Sequence, residues 1–286
     1  MLYLLLVSLI WAFSWGLIKI YLSGLDANCI SFIRIALALP IFLPFVRLKG
    51  LNLGKIFALL SIGAIQYGLM YLCVIRSYQY LQAYQVALFT TFTPIYVTLL
   101  NDAFSRKFRP FSLFTAVLAL IGAASIYYKS NADLFLIGKG FLLVQGSDLC
   151  FAFGQVAYKR FREANPKLED ASIYAWLFLG ALLVTATSTH YFGSWHTLTS
   201  LSLEQIGVLV YLGVVATGLC FFWWNKGGVK VSVSTLAVFN NLKIPLGVLA
   251  SLIIFREQAD YFRVGLALGI ITLALALAQL GSRKTG

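Results

Sequence analysis

The chain has 286 residues, of which 60% are hydrophobic and only 11% are charged, and its mean hydropathy is +0.86. A soluble globular protein does not carry so much apolar surface, so the composition favours an integral membrane protein with no separate soluble catalytic domain. The formal net charge of +12 suggests nucleic acid in a soluble protein, but here the lysines and arginines lie in short clusters between apolar runs. We therefore expect cytoplasmic loops rather than a nucleic-acid partner.

Ten apolar runs are long enough to cross a bilayer as helices of about 20 residues. In chain order they are 2–22, 28–46, 55–75, 83–100, 111–128, 138–157, 171–191, 205–225, 231–254 and 261–280. The first run has no basic leader and no small-residue cleavage site after it, so we expect a retained helix rather than a signal peptide. These runs predict an all-α membrane protein with ten spans in contact with lipid.

Lysine and arginine are distributed unequally between the two sides of these spans. The loops after even-numbered spans and the C-terminus hold fourteen of them, whereas the opposite loops hold six. Because cytoplasmic loops carry the excess of basic residues, both termini are expected to be cytoplasmic. The predicted location is the inner or plasma membrane.

Two stretches of the first half recur in the second half. Residues 11–19, W-A-F-S-W-G-L-I-K, resemble residues 151–159, F-A-F-G-Q-V-A-Y-K. Residues 93–100, T-P-I-Y-V-T-L-L, match residues 244–251, I-P-L-G-V-L-A-S, and this match pairs Pro94 with Pro245. The pattern predicts two repeats, 1–130 and 138–281, and an odd number of spans in each would give them opposite orientations in the membrane.

The order and spacing of four motifs resemble the drug/metabolite transporter superfamily, specifically its ten-helix EamA-type permeases. The motifs are W-A-F-S-W-G-L-I-K in the first span, F-I-R-I-A-L-A-L-P around Arg34, Y-L-Q-A-Y-Q-V-A-L-F-T-T-F-T-P-I-Y-V in the fourth span, and the recurrence around Pro245. The resemblance implies a basket of inverted five-helix repeats around a central cavity. It also implies export or exchange of amino acids, carboxylates, amines or related metabolites.

The ninth span departs from the family pattern, which usually has an acidic or neutral residue before its proline. Here the approach reads N-N-L-K-I-P, with Asn240, Asn241 and Lys243 before Pro245. A lysine facing lipid at the bilayer centre costs about 3 kcal/mol or more, so Lys243 is expected to face protein or a cavity. We interpret it as an anchor for a substrate carboxylate or phosphate, with the asparagines as hydrogen-bonding neighbours. The alternative is a structural lysine, held by an ion pair or by helix-end carbonyls.

Asp148 is the acidic residue near the middle of the sixth span. Two functional roles fit an intramembrane carboxylate there: pairing with Lys243 until an anionic substrate displaces it, or carrying protons. A static pair fits equally well. Arg34, in the second span, is interpreted mainly as structural.

Further polar residues in the spans are candidates for substrate contact. They are Gln66 and Tyr67 in the third span and Gln85 in the fourth, although the glutamines would equally serve to join helix to helix. Pro94 and Pro245 are candidate hinges, because proline removes a backbone hydrogen bond from a helix. Trp223 and Trp224 are interpreted as markers of the membrane interface.

The predicted function is secondary transport of a small polar metabolite, such as an amino acid or carboxylate, by alternating access. The sequence has no ATP-binding P-loop, so a gradient of protons or of a counter-substrate would drive transport. No cofactor or metal is expected, and a membrane enzyme would need clustered catalytic groups that the sequence does not show. The alternatives are efflux of cationic or multiple drugs, which predicts an acid exposed to the cavity, and a non-transporting membrane scaffold.

Overall fold

The computed structural model describes residues 2–105, 121, 133–231, 233–270 and 273. Within these ranges, the side chains of Val233, Ser234, Ala237, Val238 and Asn241 lie outside the description. The described residues are helical and contain no strand. The prediction of an all-α protein is therefore confirmed for this part of the chain.

The described ranges contain nine helices of ten residues or more, which we number α1 to α9. They are α1 (Leu2–Leu22), α2 (Ala27–Phe45), α3 (Leu53–Ser77), α4 (Ala83–Phe104), α5 (Leu134–Ala164), α6 (Asp170–Phe192), α7 (Leu203–Val229), α8 (Val233–Leu249, continued by Ala250–Ile254) and α9 (Tyr261–Ile270). Helices α1 to α7 are long and apolar enough to cross a membrane. The predicted span 111–128 and the second half of the span 261–280 lie outside the described residues, so the total of ten spans stays a prediction.

Acidic side chains, one local and one distant in sequence, bind the first N–H groups of two helices. Asp26 precedes α2 and accepts a hydrogen bond from the backbone N–H of Cys29 at 2.8 Å. Glu257, in the segment after α8, accepts hydrogen bonds from the N–H groups of Ala83 and Tyr84 at 2.8 and 3.0 Å. A carboxylate is favourable there because the first N–H groups of a helix have no partner within it. Glu257 therefore ties the end of α8 to the start of α4.

Seven helices close into a ring. Going round it, α1 packs on α8, α8 on α4, α4 on α5, α5 on α3, α3 on α2, α2 on α7, and α7 on α1. Helix α6 packs across α2 and α3. The ring leaves an internal space to which each of its seven helices can contribute side chains.

Helices α3 and α6 cross at a reciprocal pair of glycines. A Cβ atom on Gly63 would lie 1.8 Å from the carbonyl oxygen of Leu177, and one on Gly180 would lie 2.0 Å from that of Leu60. Each glycine thus allows its helix to touch the backbone of the other. Small residues at such crossings allow the close approach that stabilises helix pairs in membranes.

Irregular turns interrupt several helices. Four have wider, π-helical segments: Ile18–Leu22 in α1, Ala64–Leu69 in α3, Tyr211–Leu219 in α7 and Ala250–Ile254 in α8. Pro94 follows the tight turn Thr90–Phe92 and opens the second segment of α4. Pro245 instead lies inside α8. Proline and π-helical turns both disrupt regular helix hydrogen bonding, so these are the points where the helices can bend.

Two lysines that the sequence repeat matches make similar contacts. The Nζ atom of Lys19, near the end of α1, donates hydrogen bonds to the carbonyl oxygens of Tyr78 and Leu81, both at 2.9 Å. The Nζ atom of Lys159, in α5, donates to the carbonyl oxygen of Val231 at 2.8 Å. The first lysine binds the connection between α3 and α4, and the second binds the connection between α7 and α8. Each lysine therefore holds the corresponding connection of its half.

Candidate functional site

A cavity lies inside the ring of helices, and about 590 Å³ of space free of protein atoms is found there when the part open to the surroundings is included. All seven helices of the ring contribute to its lining. The lining residues are Trp11, Ser14, Trp15 and Ile18 of α1, Arg34 of α2, Met70, Tyr71 and Val74 of α3 with Tyr78 just after it, Thr90 of α4, Ser147, Asp148 and Phe151 of α5, Phe221 of α7, and Lys243 of α8. Aromatic and apolar side chains dominate, and three charged residues stand among them.

Lys243 points its ammonium group at three aromatic rings. Its side chain is buried, with 5% exposed, and Nζ lies 5.1 Å from the ring centroid of Trp11, 5.0 Å from that of Phe151 and 5.7 Å from that of Trp224. The rings also pack on one another, with Trp11 and Trp224 centroids 5.1 Å apart. We call these three residues the aromatic cage. It explains how the sequence can hold a lysine at this depth, because aromatic faces attract cations.

The aromatic cage does not supply what an ammonium group normally bonds. Among the described residues, Nζ of Lys243 has neither a hydrogen-bond acceptor nor an ion-pair partner. An ammonium has three donors, and leaving them unused is unfavourable where the side chain is mostly buried. Neither structural role considered for Lys243, a direct ion pair or bonding to helix-end carbonyls, is present in these residues. An anionic group in the cavity would supply the acceptors that the ammonium lacks.

Asp148 lines the same cavity as Lys243 without touching it. Its side chain is 3% exposed and its Oδ2 atom has no hydrogen-bond partner. It lies one helical turn before Phe151, and its charge acts on Lys243 although no direct ion pair joins the two side chains. The two groups are therefore close enough for the charge of one to influence the other, although they do not form an ion pair.

Asn240 links α8 to α5 one helical turn before Lys243. Its Nδ2 atom donates a hydrogen bond to Oε1 of Gln155 at 3.3 Å, and both side chains are buried. Gln155 lines a second, more polar cavity together with Lys159 and Arg160. Neither Asn240 nor Gln155 lines the cavity of Lys243. The side chain of Asn241, which the sequence also proposed as a substrate contact, lies outside the described residues.

The other candidate substrate contacts do not line the cavity of Lys243. Nε2 of Gln66 donates a hydrogen bond to Oδ1 of Asn225 at 3.1 Å, which joins α3 to α7. The hydroxyl of Tyr67 lies 2.6 Å from that of Tyr174 and accepts a hydrogen bond from Nδ2 of Asn225. These contacts join helix to helix.

Gln85 makes a local contact at the start of α4. Its Oε1 atom accepts a hydrogen bond from the backbone N–H of Gln82 at 2.7 Å, which forms half of a capping box. Such a box satisfies helix N–H groups that have no partner within the helix. Gln85 is therefore engaged in fixing the start of its helix.

The aromatic cage consists of residues that the sequence did not assign to the site. Trp224 resembles an interface tryptophan in sequence, yet it is fully buried, with its ring facing Lys243. Trp11 and Phe151 open the two matched stretches of the internal repeat. That match is the signal that could have found them, because equivalent residues of two repeats approach the same centre when the repeats face each other.

Comparison with known proteins identifies the family. The EamA-like transporter family matches twice, over residues 1–128 and 138–279. The chain belongs to the EamA-like transporter family. The matched ranges together include nearly all of the chain, so this family member is a multi-pass inner-membrane transporter of the drug/metabolite transporter superfamily.

Several relatives of this EamA-like protein carry a named substrate. A protein of Pseudomonas aeruginosa named "Probable biotin transporter" is 40% identical over 284 residues, which is 99% of this chain and 98% of the relative. A "Biotin transporter" of Salmonella typhimurium is 40% identical over 260 residues, or 90% of this chain and 86% of the relative. The "Biotin transporter" of Escherichia coli is 39% identical over the same coverage.

A solved structure shares the fold. It covers 98% of this chain and 96% of its own, with a TM-score of 0.70 and 16% sequence identity, and its title reads "Crystal structure of protein". At that identity the likeness concerns the arrangement of helices alone.

Proposed function

We propose that this chain is a secondary transporter that carries biotin, or a closely similar monocarboxylate, across the inner membrane. Lys243 would bind the carboxylate in the internal cavity. The observation that carries the proposal is a lysine in the cavity lining whose side chain is buried and whose ammonium group has no ion-pair or hydrogen-bond partner among the described residues. The names of the relatives supply the substrate, since biotin is a monocarboxylic acid.

The charged residues of the cavity favour a ligand with a single negative charge. Its described lining contains two cations, Arg34 and Lys243, and one anion, Asp148. One bound carboxylate would balance the three charges, which matters more in a buried site than at an exposed surface because charges interact more strongly there. A dianion would leave an excess negative charge, and a cation would add to an existing excess of positive charge.

The apolar part of the lining is suited to contact the uncharged part of biotin. Biotin carries its carboxylate on an alkyl chain attached to a bicyclic ring with sulfur and a neutral ureido group. Aromatic and aliphatic side chains such as Trp15, Met70 and Phe221 offer contact to that chain and ring. Ligand pockets combine such apolar walls with a few polar groups that orient the ligand.

The transport cycle would use the two halves of the chain as inverted repeats. The double family match over 1–128 and 138–279 and the matched lysine contacts of Lys19 and Lys159 support this arrangement. Rocking of one half against the other would open the cavity to each side in turn. A gradient of protons or of a counter-substrate would supply the free energy, and both termini would face the cytoplasm.

One observation favours a second candidate, the efflux of cationic compounds. This alternative predicts an acid exposed to the cavity, and Asp148 lines it. The presence of Arg34 and Lys243 in the same lining opposes the binding of a cation, because like charges repel more strongly in a buried site than in water. We therefore place anion transport first.

Counterflow in liposomes tests the proposal against this alternative. Purified protein in vesicles loaded with unlabelled biotin should accumulate labelled biotin, and an excess of other monocarboxylates should compete more weakly. A parallel set of vesicles is tested with amino acids and with a lipophilic cationic dye. Uptake of the dye or of amino acids without uptake of biotin would overturn the proposal.

A further inference from the structure

We propose that Arg34 and Tyr78 form a second polar subsite in the cavity, which donates hydrogen bonds to an uncharged carbonyl oxygen of the ligand. This inference rests on the proposed function, because for biotin that oxygen is the ureido oxygen. It assigns the two polar groups of the ligand to two polar subsites of the cavity. Lys243 would hold the carboxylate, and Arg34 with Tyr78 would hold the ring.

The guanidinium group of Arg34 is only partly engaged. Its Nη2 atom donates hydrogen bonds to Oη of Tyr71 at 2.8 Å and to Oγ1 of Thr217 at 3.2 Å, and Nε donates to the same Oγ1 at 3.3 Å. The ring of Tyr71 also lies 4.1 Å from the guanidinium carbon. These contacts hold the group rigidly between α2, α3 and α7, as the structural interpretation of Arg34 expects.

The remaining nitrogen, Nη1, has no hydrogen-bond partner, although Arg34 is 97% buried and lines the cavity. Guanidinium N–H groups are donors only and keep their charge in proteins, so this nitrogen needs an oxygen. A buried donor that is held in a fixed position and has no acceptor is suited to bind a ligand oxygen.

Tyr78 adds a second orphaned group in the same lining. Its side chain is 1% exposed and its Oη atom has no hydrogen-bond partner. Arg34 lies near enough to act on this hydroxyl electrostatically. A carbonyl oxygen has two lone pairs and would accept from both Nη1 of Arg34 and the hydroxyl of Tyr78.

The two polar subsites stand on different helices around one cavity. Lys243 belongs to α8, whereas Arg34 belongs to α2 and Tyr78 follows α3. The cavity therefore offers polar groups to a ligand that itself carries two, such as the carboxylate and ureido groups of biotin.

The assignment of ends follows from what each cation lacks. Lys243 has no hydrogen-bond acceptor among the described residues, whereas Arg34 already donates three hydrogen bonds to hydroxyl groups. A carboxylate accepts several hydrogen bonds and gains most from the ammonium group whose three donors are all unused. The neutral oxygen is left to the orphaned donors of Arg34 and Tyr78.

Binding of ligands altered at one end tests the inference. The probes are biotin, its methyl ester, which lacks the carboxylate charge, and 2-iminobiotin, in which a protonated imine replaces the ureido oxygen at neutral pH. Each is titrated against labelled biotin on the purified full-length protein. The variants are Tyr78→Phe and Arg34→Lys, with Tyr211→Phe as control, because Tyr211 is a half-buried tyrosine outside the cavity lining.

The parent protein should bind biotin more tightly than 2-iminobiotin. Tyr78→Phe should reduce the ratio of the two affinities about fivefold or more, because one hydrogen bond to a carbonyl oxygen has an effect of that size. Arg34→Lys should reduce it further, and neither variant should change the preference for biotin over its methyl ester. Tyr211→Phe should change neither ratio. Tyr78→Phe removes a hydroxyl without a partner, so this variant should keep the parent's thermal unfolding temperature.

Three outcomes are distinct. An altered 2-iminobiotin ratio with an unchanged methyl-ester ratio supports the subsite. Unchanged ratios in Tyr78→Phe and Arg34→Lys, with biotin still bound, would overturn the subsite and leave the proposed function standing. Absence of biotin binding to the parent protein would overturn both.

Discussion

The Nζ atom of Lys243 lies 5.1 Å from the ring centroid of Trp11, in the lining of a cavity to which seven helices contribute. Phe151, the residue that the internal repeat matches to Trp11, lies at almost the same distance from Nζ, 5.0 Å, and its ring packs against that of Trp11 with centroids 5.7 Å apart. The lysine itself has Phe92 as its counterpart in the repeat. One unmatched charge therefore lies beside a pair of matched aromatic residues, which makes it the feature of the cavity most suited to select a substrate.

The aromatic cage should contribute to substrate transport through its rings. Replacing Phe151 by leucine keeps an apolar side chain but removes one face that attracts the ammonium of Lys243, so the lysine becomes less well positioned. Uptake of biotin at low concentration should fall roughly fivefold. Phe104→Leu is the matched control, because it removes a ring that lies under Arg160, outside the cavity lining. Equal uptake in the two variants would contradict a role for the cage.

Asp148 should couple transport to protons. Replacement by asparagine keeps the size of the side chain and removes its charge, so counterflow of biotin should continue while accumulation driven by a pH gradient is lost. The control is Asp133→Asn, since Asp133 is an exposed carboxylate that caps α5 and asparagine also caps helices. Both reactions are measured in the same vesicles. Undiminished accumulation in Asp148→Asn would exclude this carboxylate as the proton carrier.

The crossing of α3 and α6 should be intolerant of a single methyl group. A Cβ atom at position 180 would lie 2.0 Å from the carbonyl oxygen of Leu60, and backbone cannot rotate away as a side chain can. Gly180→Ala should destabilise the protein by about 2 kcal/mol. Gly207→Ala is the control, because nothing lies within 4 Å of its added Cβ atom and alanine favours helix. Thermal unfolding in detergent compares the two, and a similar midpoint for both would show that α3 and α6 are free to separate.

The membrane helices were predictable because their length and hydropathy distinguish them in the sequence. The buried position of Lys243 was predictable because it lies within such a segment. The apolar run at 2–22 coincides with α1, and the run at 83–100 lies within α4. A lysine within an apolar run must face protein or a cavity, and Lys243 does. These inferences depend only on the chain's own residues and on the bilayer as solvent.

The partners of buried polar residues were not predictable from one sequence. Gln66 and Asn225 are 159 positions apart, and nothing in either span shows that they bond. Trp224 resembled an interface residue because tryptophans near the ends of membrane helices are common at the interface. Its position along the helix does not show which face of the helix it occupies. Contacts between distant helices depend on how the helices are rotated, which short motifs do not specify.

The central claim, that Lys243 binds the carboxylate of biotin, is tested most directly by comparing labelled biotin uptake with uptake of its methyl ester in Lys243→Ala. Lys226→Ala is the matched control, since Nζ of Lys226 also lies over an aromatic ring, 5.4 Å from that of Phe222, but outside the cavity lining. We predict that Lys243→Ala lowers biotin uptake at least about tenfold and leaves methyl-ester uptake nearly unchanged. Lys226→Ala should alter neither. Biotin uptake by Lys243→Ala at the parent rate would contradict the claim.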